Sequence, residues 1–190
     1  MTTRSESRKQ NRLDVWDYSE DGYYFVTVCI EDHREIFGKV VNEEMVLSEY
    51  GKIVWECWKE ILDHFENVEL DEFIVMPNHV HGIIIIGCDP ENFQINGVLP
   101  VGDAYVGTRH ALSLPGNRKY QKLPVIIGSF KSAVTHRINM LQPELKFRWQ
   151  RSFYDHIIRG EKTLERIREY VRYNAIKWEL DQENPLNLKS

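Results

Sequence analysis

Two histidines separated by one residue, His79 and His81, stand at the head of the stretch Met76-Pro77-Asn78-His79-Val80-His81-Gly82-Ile83-Ile84-Ile85-Ile86. The β-branched run after Gly82 has the pattern of a central strand covered on both faces. Side chains alternate across a strand, so both imidazoles fall on one face with Cα atoms roughly 6.5–7 Å apart. At that spacing two ring nitrogens can converge on one cation at about 2.0–2.2 Å without bending the backbone. Most H-x-H pairs sit on a solvated face or bond to neighbours. Here the pair opens the most apolar strand of the chain, where desolvating two imidazoles without a partner is unfavourable.

The elements around this pair follow from periodicity. Residues 23–30, rich in aromatic and β-branched types, read as a strand. A charged turn over 31–35, with His33 at the surface, leads into a small hairpin from 36–41 and 45–47 at the sheet edge. Ser48 caps a helix from about Glu49 to Phe65, in which Trp55 and Trp58 read as core residues rather than a base-stacking platform. Residues 68–76 form the next strand. Pro77 cannot donate to a ladder, which predicts a bend or tight turn before the histidines.

Beyond the histidine strand, no period survives from Cys88 to about Leu123. Arg109, His110, Arg118, Lys119 and Lys122 give this loop a positive bias, as in a lid or binding arm, with plain disorder as the alternative. A helix from Pro124 to about Leu141 carries Val125, Phe130, Val134, Ile138 and Leu141 on one stripe. Lys131 and Arg137 lie off it and are available to phosphates. Residues 147–158 mix aromatic, basic and apolar types like an irregular edge strand. Basic residues among rings, Arg148 and Arg151 included, suit single-stranded nucleic acid. The last helix, 162–178, buries Leu164, Ile167, Val171 and Trp178, leaving Tyr170 at the edge of the stripe and Asn174 one turn below it. Arg166 on this helix joins the basic residues assigned to DNA.

A chain of 190 residues with 42% hydrophobic residues is long enough for one domain with a sizeable core. The expected layout is a flexible N-terminal arm over 1–20, one domain over 21–180 containing the 88–123 loop, and a C-terminal tail over 181–190. No apolar run is long enough to span a bilayer and no signal core opens the chain, so a cytoplasmic protein is expected. Three cysteines without C-x-x-C spacing fit reduced thiols, neither a disulfide frame nor a zinc knuckle. The net charge of −5 hides a polarised chain: residues 1–100 hold 8 Lys+Arg against 20 Asp+Glu, and residues 101–180 hold 15 against 7. Such a chain can still turn one basic face to phosphates.

Strand, helix, strand, strand, helix, strand is the order of a ferredoxin-like α+β fold, an antiparallel sheet with helices packed on one face. Laying the last helix against the central strands would bring Tyr170 and Asn174 towards His79 and His81. A divalent cation held by two imidazoles and an amide, beside a phenol, suits transesterification of a phosphodiester. The phenol, with an ordinary pKa near 10, needs nearby positive charge to attack as phenolate. By ligand type alone, imidazoles favour manganese, nickel or zinc over magnesium.

The His-x-His stretch, Phe130-Lys131-Ser132, Trp149-Gln150-Arg151-Ser152-Phe153-Tyr154-Asp155-His156 and Tyr170-Val171-Arg172-Tyr173-Asn174 occur in an order that resembles the single-tyrosine HUH transposases, closest to the REP-associated branch. The resemblance runs from about Tyr23 to Trp178. It implies a metal-dependent nuclease and strand transferase acting on single-stranded DNA that folds into hairpins. Under it, His79 and His81 bind Mg²⁺ or Mn²⁺, Tyr170 takes the 5′ phosphate, and Asn174 assists the metal. His156 is expected to orient groups near the site. The family's Asn-Pro is replaced by Asn174-Ala175. Relatives include dimers that exchange the tyrosine helix, so a homodimer is one expected assembly. Two rival functions are a catalytically silent DNA-binding regulator descended from such an enzyme, and a histidine-triad hydrolase, which would need a histidine where Ile83 stands. Tyr173 and Tyr154 are rival nucleophiles.

Overall fold

The structure, a computed structural model, describes residues 21–87, 122–181 and 183–187. In chain order its elements are strand β1 (Gly22–Cys29), β2 (Gly38–Val41), β3 (Glu44–Leu47), helices α1 (Glu49–Lys59) and α2 (Ile61–His64), β4 (Val68–Val75), β5 (His79–Ile86), α3 (Lys122–Leu141), β6 (Tyr154–Ile158) and α4 (Glu161–Arg172). Four strands form one antiparallel sheet in the order β4-β5-β1-β6, and β2 and β3 form a separate ribbon. This is the expected α+β, ferredoxin-like antiparallel arrangement. The N-terminal arm, most of the 88–123 loop with Arg109, His110, Arg118 and Lys119, and residues 188–190 lie outside the described residues.

The two faces of the sheet are covered differently. Tyr24, Val26 and Val28 of β1 and Val80, Ile84 and Ile86 of β5 point into a large core beneath α1 and α3. Trp58 lies flat on Phe73 at 4.4 Å between centroids and meets Phe130 edge-on at 5.3 Å. Gly82 makes that stack possible, because a Cβ there would stand 2.3 Å from the Trp58 ring. The opposite face carries Tyr23, Phe25, Ile83 and Ile85 against Leu164 and Val171 of α4. The helices therefore do not share one face, as the sequence suggested: α4 crosses the side facing away from α1 and α3. The alternation of β1 and β5, both almost wholly buried, requires cover on both sides.

Several boundaries also differ from those read from periodicity. Ser48 caps α1 as expected, accepting from the Gly51 amide, but the helix breaks at Glu60 before the short α2. Trp55 is 44% exposed, with the Lys59 ammonium 4.3 Å above its ring, and is not core. Helix α3 starts two residues before Pro124, which sits in the first turn where no amide is needed. Its buried stripe is Leu123, Ile126, Ile127, Phe130, Val134 and Ile138, leaving Val125 and Leu141 exposed. Helix α4 ends at Arg172, and the chain continues through turns to a 3-10 turn at Trp178–Leu180. Among the described residues no helix is long and apolar enough to cross a membrane.

Candidate active site

Strand alternation places His79 and His81 on the α4 face of β5, both buried. Their ring centroids are 4.4 Å apart and their Nε2 atoms 2.9 Å apart, a distance at which two nitrogens share one proton or flank one cation. Each outer nitrogen is held by a neighbour. His79 Nδ1 is 2.8 Å from Asn78 Oδ1, and His81 Nδ1 is 2.8 Å from Thr27 Oγ1. Asn78 leaves no ambiguity about its orientation, since its amide nitrogen donates to the backbone oxygens of Glu183 at 2.7 Å and His33 at 3.3 Å. Its oxygen can therefore only accept, so His79 carries its proton on Nδ1 and presents a lone pair at Nε2. Burial, and next the positive charge of His81, hold the His79 imidazole well below its ordinary pKa, which keeps that lone pair free.

A third potential ligand was not anticipated from sequence. Asp181 sits where a C-terminal tail was expected, yet it is buried, and one ligand atom from each of His79, His81 and Asp181 lies within 4.8 Å of the others. Its Oδ1 accepts from the Glu183 amide at 2.7 Å and its Oδ2 accepts from Asn174 Nδ2 at 3.1 Å. Burial would raise this carboxyl, but the His81 imidazole, the His79 charge and the Glu183 amide outweigh it and lower the group to about 2. Nothing periodic marks Asp181. It follows the end of the helical pattern, in a run of turn-forming residues that reads as a tail.

Asn174 is buried as well, and its Oδ1 has no hydrogen-bond partner. A buried carbonyl oxygen without a donor is costly unless a cation or water satisfies it. Two imidazoles and an ionised carboxylate form a group that could hold a divalent metal, with the Asn174 amide bonded to the carboxylate.

Tyr170 completes the cluster from α4. Its hydroxyl is 3.2 Å from His81 Nε2, and its ring lies edge-on to both His81 and Phe25. What places α4 here is an irregularity in β4. Leu70 pairs with Ile84 and Phe73 with Gly82, so two residues of β4, Asp71 and Glu72, oppose the single Ile83. Such a bulge redirects side chains that would otherwise alternate across the sheet. Both carboxylates reach α4: Arg168 makes a two-pronged contact with Asp71, as short as 2.7 Å, and Arg172 bonds Glu72 at 2.7 Å. The two ion pairs bracket Tyr170.

Comparison with known proteins agrees with this geometry. No protein-family profile matches the chain. It is 37% identical over 186 residues to an uncharacterized protein of Haemophilus influenzae, covering 96% of this chain and 98% of the other. A second Haemophilus influenzae protein, named "Putative REP-associated tyrosine transposase", is 24% identical over 164 residues, 85% of this chain and 74% of that one. The solved structure of a REP-associated tyrosine transposase bound to a REP hairpin superposes with a TM-score of 0.54 at 18% identity, over 92% of this chain and 74% of that chain. The chain is thus similar in sequence to one protein of that name and shares its fold with a solved REP-associated tyrosine transposase.

Within this fold, the other predicted site residues are dispersed. Tyr173 is half exposed, whereas Tyr170 contacts His81. Tyr154 lies opposite Thr27 on β6, with its ring edge-on to Phe25 at 6.2 Å. His156 is one row further, opposite Phe25. Burial, then the charges of Arg159 and Arg166, lower its pKa. Arg166 is exposed on α4. Arg137 is held by Glu60 in a two-pronged ion pair at 2.6 and 2.9 Å, which ties α3 to α1. Lys131, Arg148 and Arg151 gather along one groove. Phe147, Trp149 and Phe153 point into the core, so no stacking platform accompanies the basic residues there. His33, expected at the surface, is partly buried and links Gln150, at 3.1 Å, to the turn carrying Asn78.

Proposed function

We propose that this protein is a metal-dependent, single-strand DNA nuclease and strand transferase that acts on hairpin-forming DNA through a 5′-phosphotyrosine at Tyr170. The observation that carries the reading is the 3.2 Å approach of the Tyr170 hydroxyl to the nitrogen edge of the paired histidines. His79, His81 and Asp181 would hold the cation, with Asn174 positioning Asp181 and offering its free oxygen. Mg²⁺ or Mn²⁺ is the choice the family resemblance implies, and the Asp181 carboxylate makes the set harder than two imidazoles alone. Bound there, such an ion supplies Lewis-acid polarisation of a phosphoryl oxygen and positive charge that favours the phenolate.

The chain's own residues do the rest. Asn78 and Thr27 fix the imidazole rings, and the Asp71–Arg168 and Glu72–Arg172 pairs hold the nucleophile's helix. The Tyr170 oxygen forms a bond to phosphorus as the bond from phosphorus to the 3′ oxygen breaks. The phenolic proton is lost and the departing 3′ oxygen gains one, so a phosphodiester-level bond is retained for rejoining.

Labelled hairpin DNA incubated with the protein and Mn²⁺ tests this reading. A covalent protein-DNA adduct is expected that Tyr173→Phe retains and Tyr170→Phe abolishes. Hairpin binding with no adduct under any divalent ion would instead identify a silent DNA-binding descendant.

A further inference from the structure

We infer that His33 and Gln150 are positioning residues for the metal centre: they hold the buried Asn78 amide in the one orientation that keeps the His79 lone pair turned towards the cation. This rests on the metal-dependent reading proposed above and adds how the first ligand is kept ready.

Asn78 is fully buried, so its amide depends on partners inside the protein. An amide can be turned over, exchanging its oxygen and nitrogen, with almost no change of shape. As observed, the nitrogen donates to the carbonyl oxygens of Glu183 at 2.7 Å and His33 at 3.3 Å, and the oxygen accepts from His79 Nδ1 at 2.8 Å. Turned over, the amide would set its oxygen against two carbonyls and its nitrogen against His79 Nδ1. The imidazole proton would then sit on Nε2, where His81 Nε2 at 2.9 Å could accept it. That tautomer offers no lone pair on the side shared with His81. The carbonyls that reject the turned-over amide therefore decide whether His79 can be a ligand.

One of those carbonyls belongs to a residue with an uncommon backbone. His33 has a φ of 54°, in the left-handed region that glycine and asparagine adopt most readily. Two side-chain contacts hold it there. Glu183 Oε2 lies 3.5 Å from His33 Nδ1, which calls for the ring proton on that atom, so Nε2 accepts from the Gln150 amide nitrogen at 3.1 Å. Gln150 is itself fixed from two sides: its backbone amide donates to Cys29 O at 2.9 Å, and its carbonyl accepts from Lys131 Nζ at 2.6 Å. Phe130-Lys131-Ser132 and Trp149-Gln150-Arg151, both remote from the histidines in sequence, thus reach the metal centre through the His33 ring. A strained backbone pinned by its own side chain, with its carbonyl on the amide that sets a ligand's tautomer, is the mark of a positional role.

Long-range proton–nitrogen NMR spectra of the metal-free full chain read the His79 tautomer, and calorimetry reads Mn²⁺ affinity. The parent is expected to show His79 protonated at Nδ1 alone. Gln150→Met keeps the size of the side chain without its donor, and His33→Asn suits the left-handed backbone but is too short to reach Gln150. Both should mix the two tautomers and weaken Mn²⁺ binding about tenfold, the lower end for groups that orient a metal ligand, while the urea midpoint holds. In an Asn78→Ala background Gln150→Met should change neither readout further, because its effect passes through that amide. Glu60→Ala, which breaks the ion pair with Arg137 between α1 and α3, should leave tautomer and affinity at parent values. A single Nδ1 tautomer in both variants, or an undiminished effect of Gln150→Met in the Asn78→Ala background, would overturn the inference. The two readouts also separate it from the reading it rests on. Tautomer mixing in a protein that binds no Mn²⁺ removes the metal-dependent function and leaves the control of His79, whereas Mn²⁺ binding with an unmoved tautomer removes only that control.

Discussion

The two faces of the central sheet are built from different materials. Beneath α1 and α3 the packing is aromatic and aliphatic, with Trp58, Phe73, Phe130, Phe37 and Trp149 in ring contact. Beneath α4 a small apolar patch gives way to imidazoles, an amide and a carboxylate, and the helix is tethered by ion pairs from the β4 bulge. Hydrophobic burial is non-directional and tolerates no voids, whereas a hydrogen-bonded polar cluster fixes atoms but contributes little net stability. One face therefore carries most of the folding energy, and it frees the other to place reactive groups.

Substitutions that separate stability from chemistry test this division. The largest effect is expected at Trp58→Ala, which should cost about 3–5 kcal/mol in urea unfolding because it opens a cavity beneath Gly82. Tyr170→Phe on the other face should stay within about 1 kcal/mol of the parent. Comparable losses for both would refute the division. Next, Asp181→Ala should weaken Mn²⁺ binding in calorimetry at least tenfold while the fold, followed by circular dichroism, persists. Undiminished Mn²⁺ affinity would remove Asp181 from the ligand set.

A smaller change is expected from Asp71→Ala/Glu72→Ala. Partly exposed ion pairs contribute about 0.2–1 kcal/mol each, so stability should fall modestly. Hydrogen exchange in α4 should rise and single-turnover adduct formation should slow about tenfold, because Tyr170 loses its tether. Unaltered exchange would show that apolar contacts alone seat the helix.

The smallest effect concerns Lys131. Burial lowers its pKa from 10.5 to about 8. Between those values the unfolded chain binds more protons than the folded one, so this lysine makes stability rise as pH rises through that window. Lys131→Met should flatten the pH dependence of the urea midpoint from pH 8 to 10. If the slope is the same in parent and variant, the lysine is not desolvated.

How much of this was legible beforehand depends on how local the cause is. The strand character of β1, β4 and β5, the burial of β5 and the shared face of His79 and His81 follow from a two-residue period and a β-branched run, which act within one element. Tyr170 was legible as an edge residue because helical spacing assigns it there. Helix ends were less so: breaks at Glu60 and Arg172 depend on what packs against each turn, and apolar periodicity runs through both.

The chain by itself thus determined which side chains share a face, since backbone geometry converts spacing into direction without help from distant residues. Only the tertiary structure decided that Asp181 joins the histidines, that α4 takes the face opposite α1 and α3, and that Arg137 pairs with Glu60 while Arg148 and Arg151 have no carboxylate partner among the described residues. Those outcomes depend on residues far apart in sequence competing for the same partner. The competition is settled by burial and by the bulge at Asp71 and Glu72, and neither leaves a periodic trace.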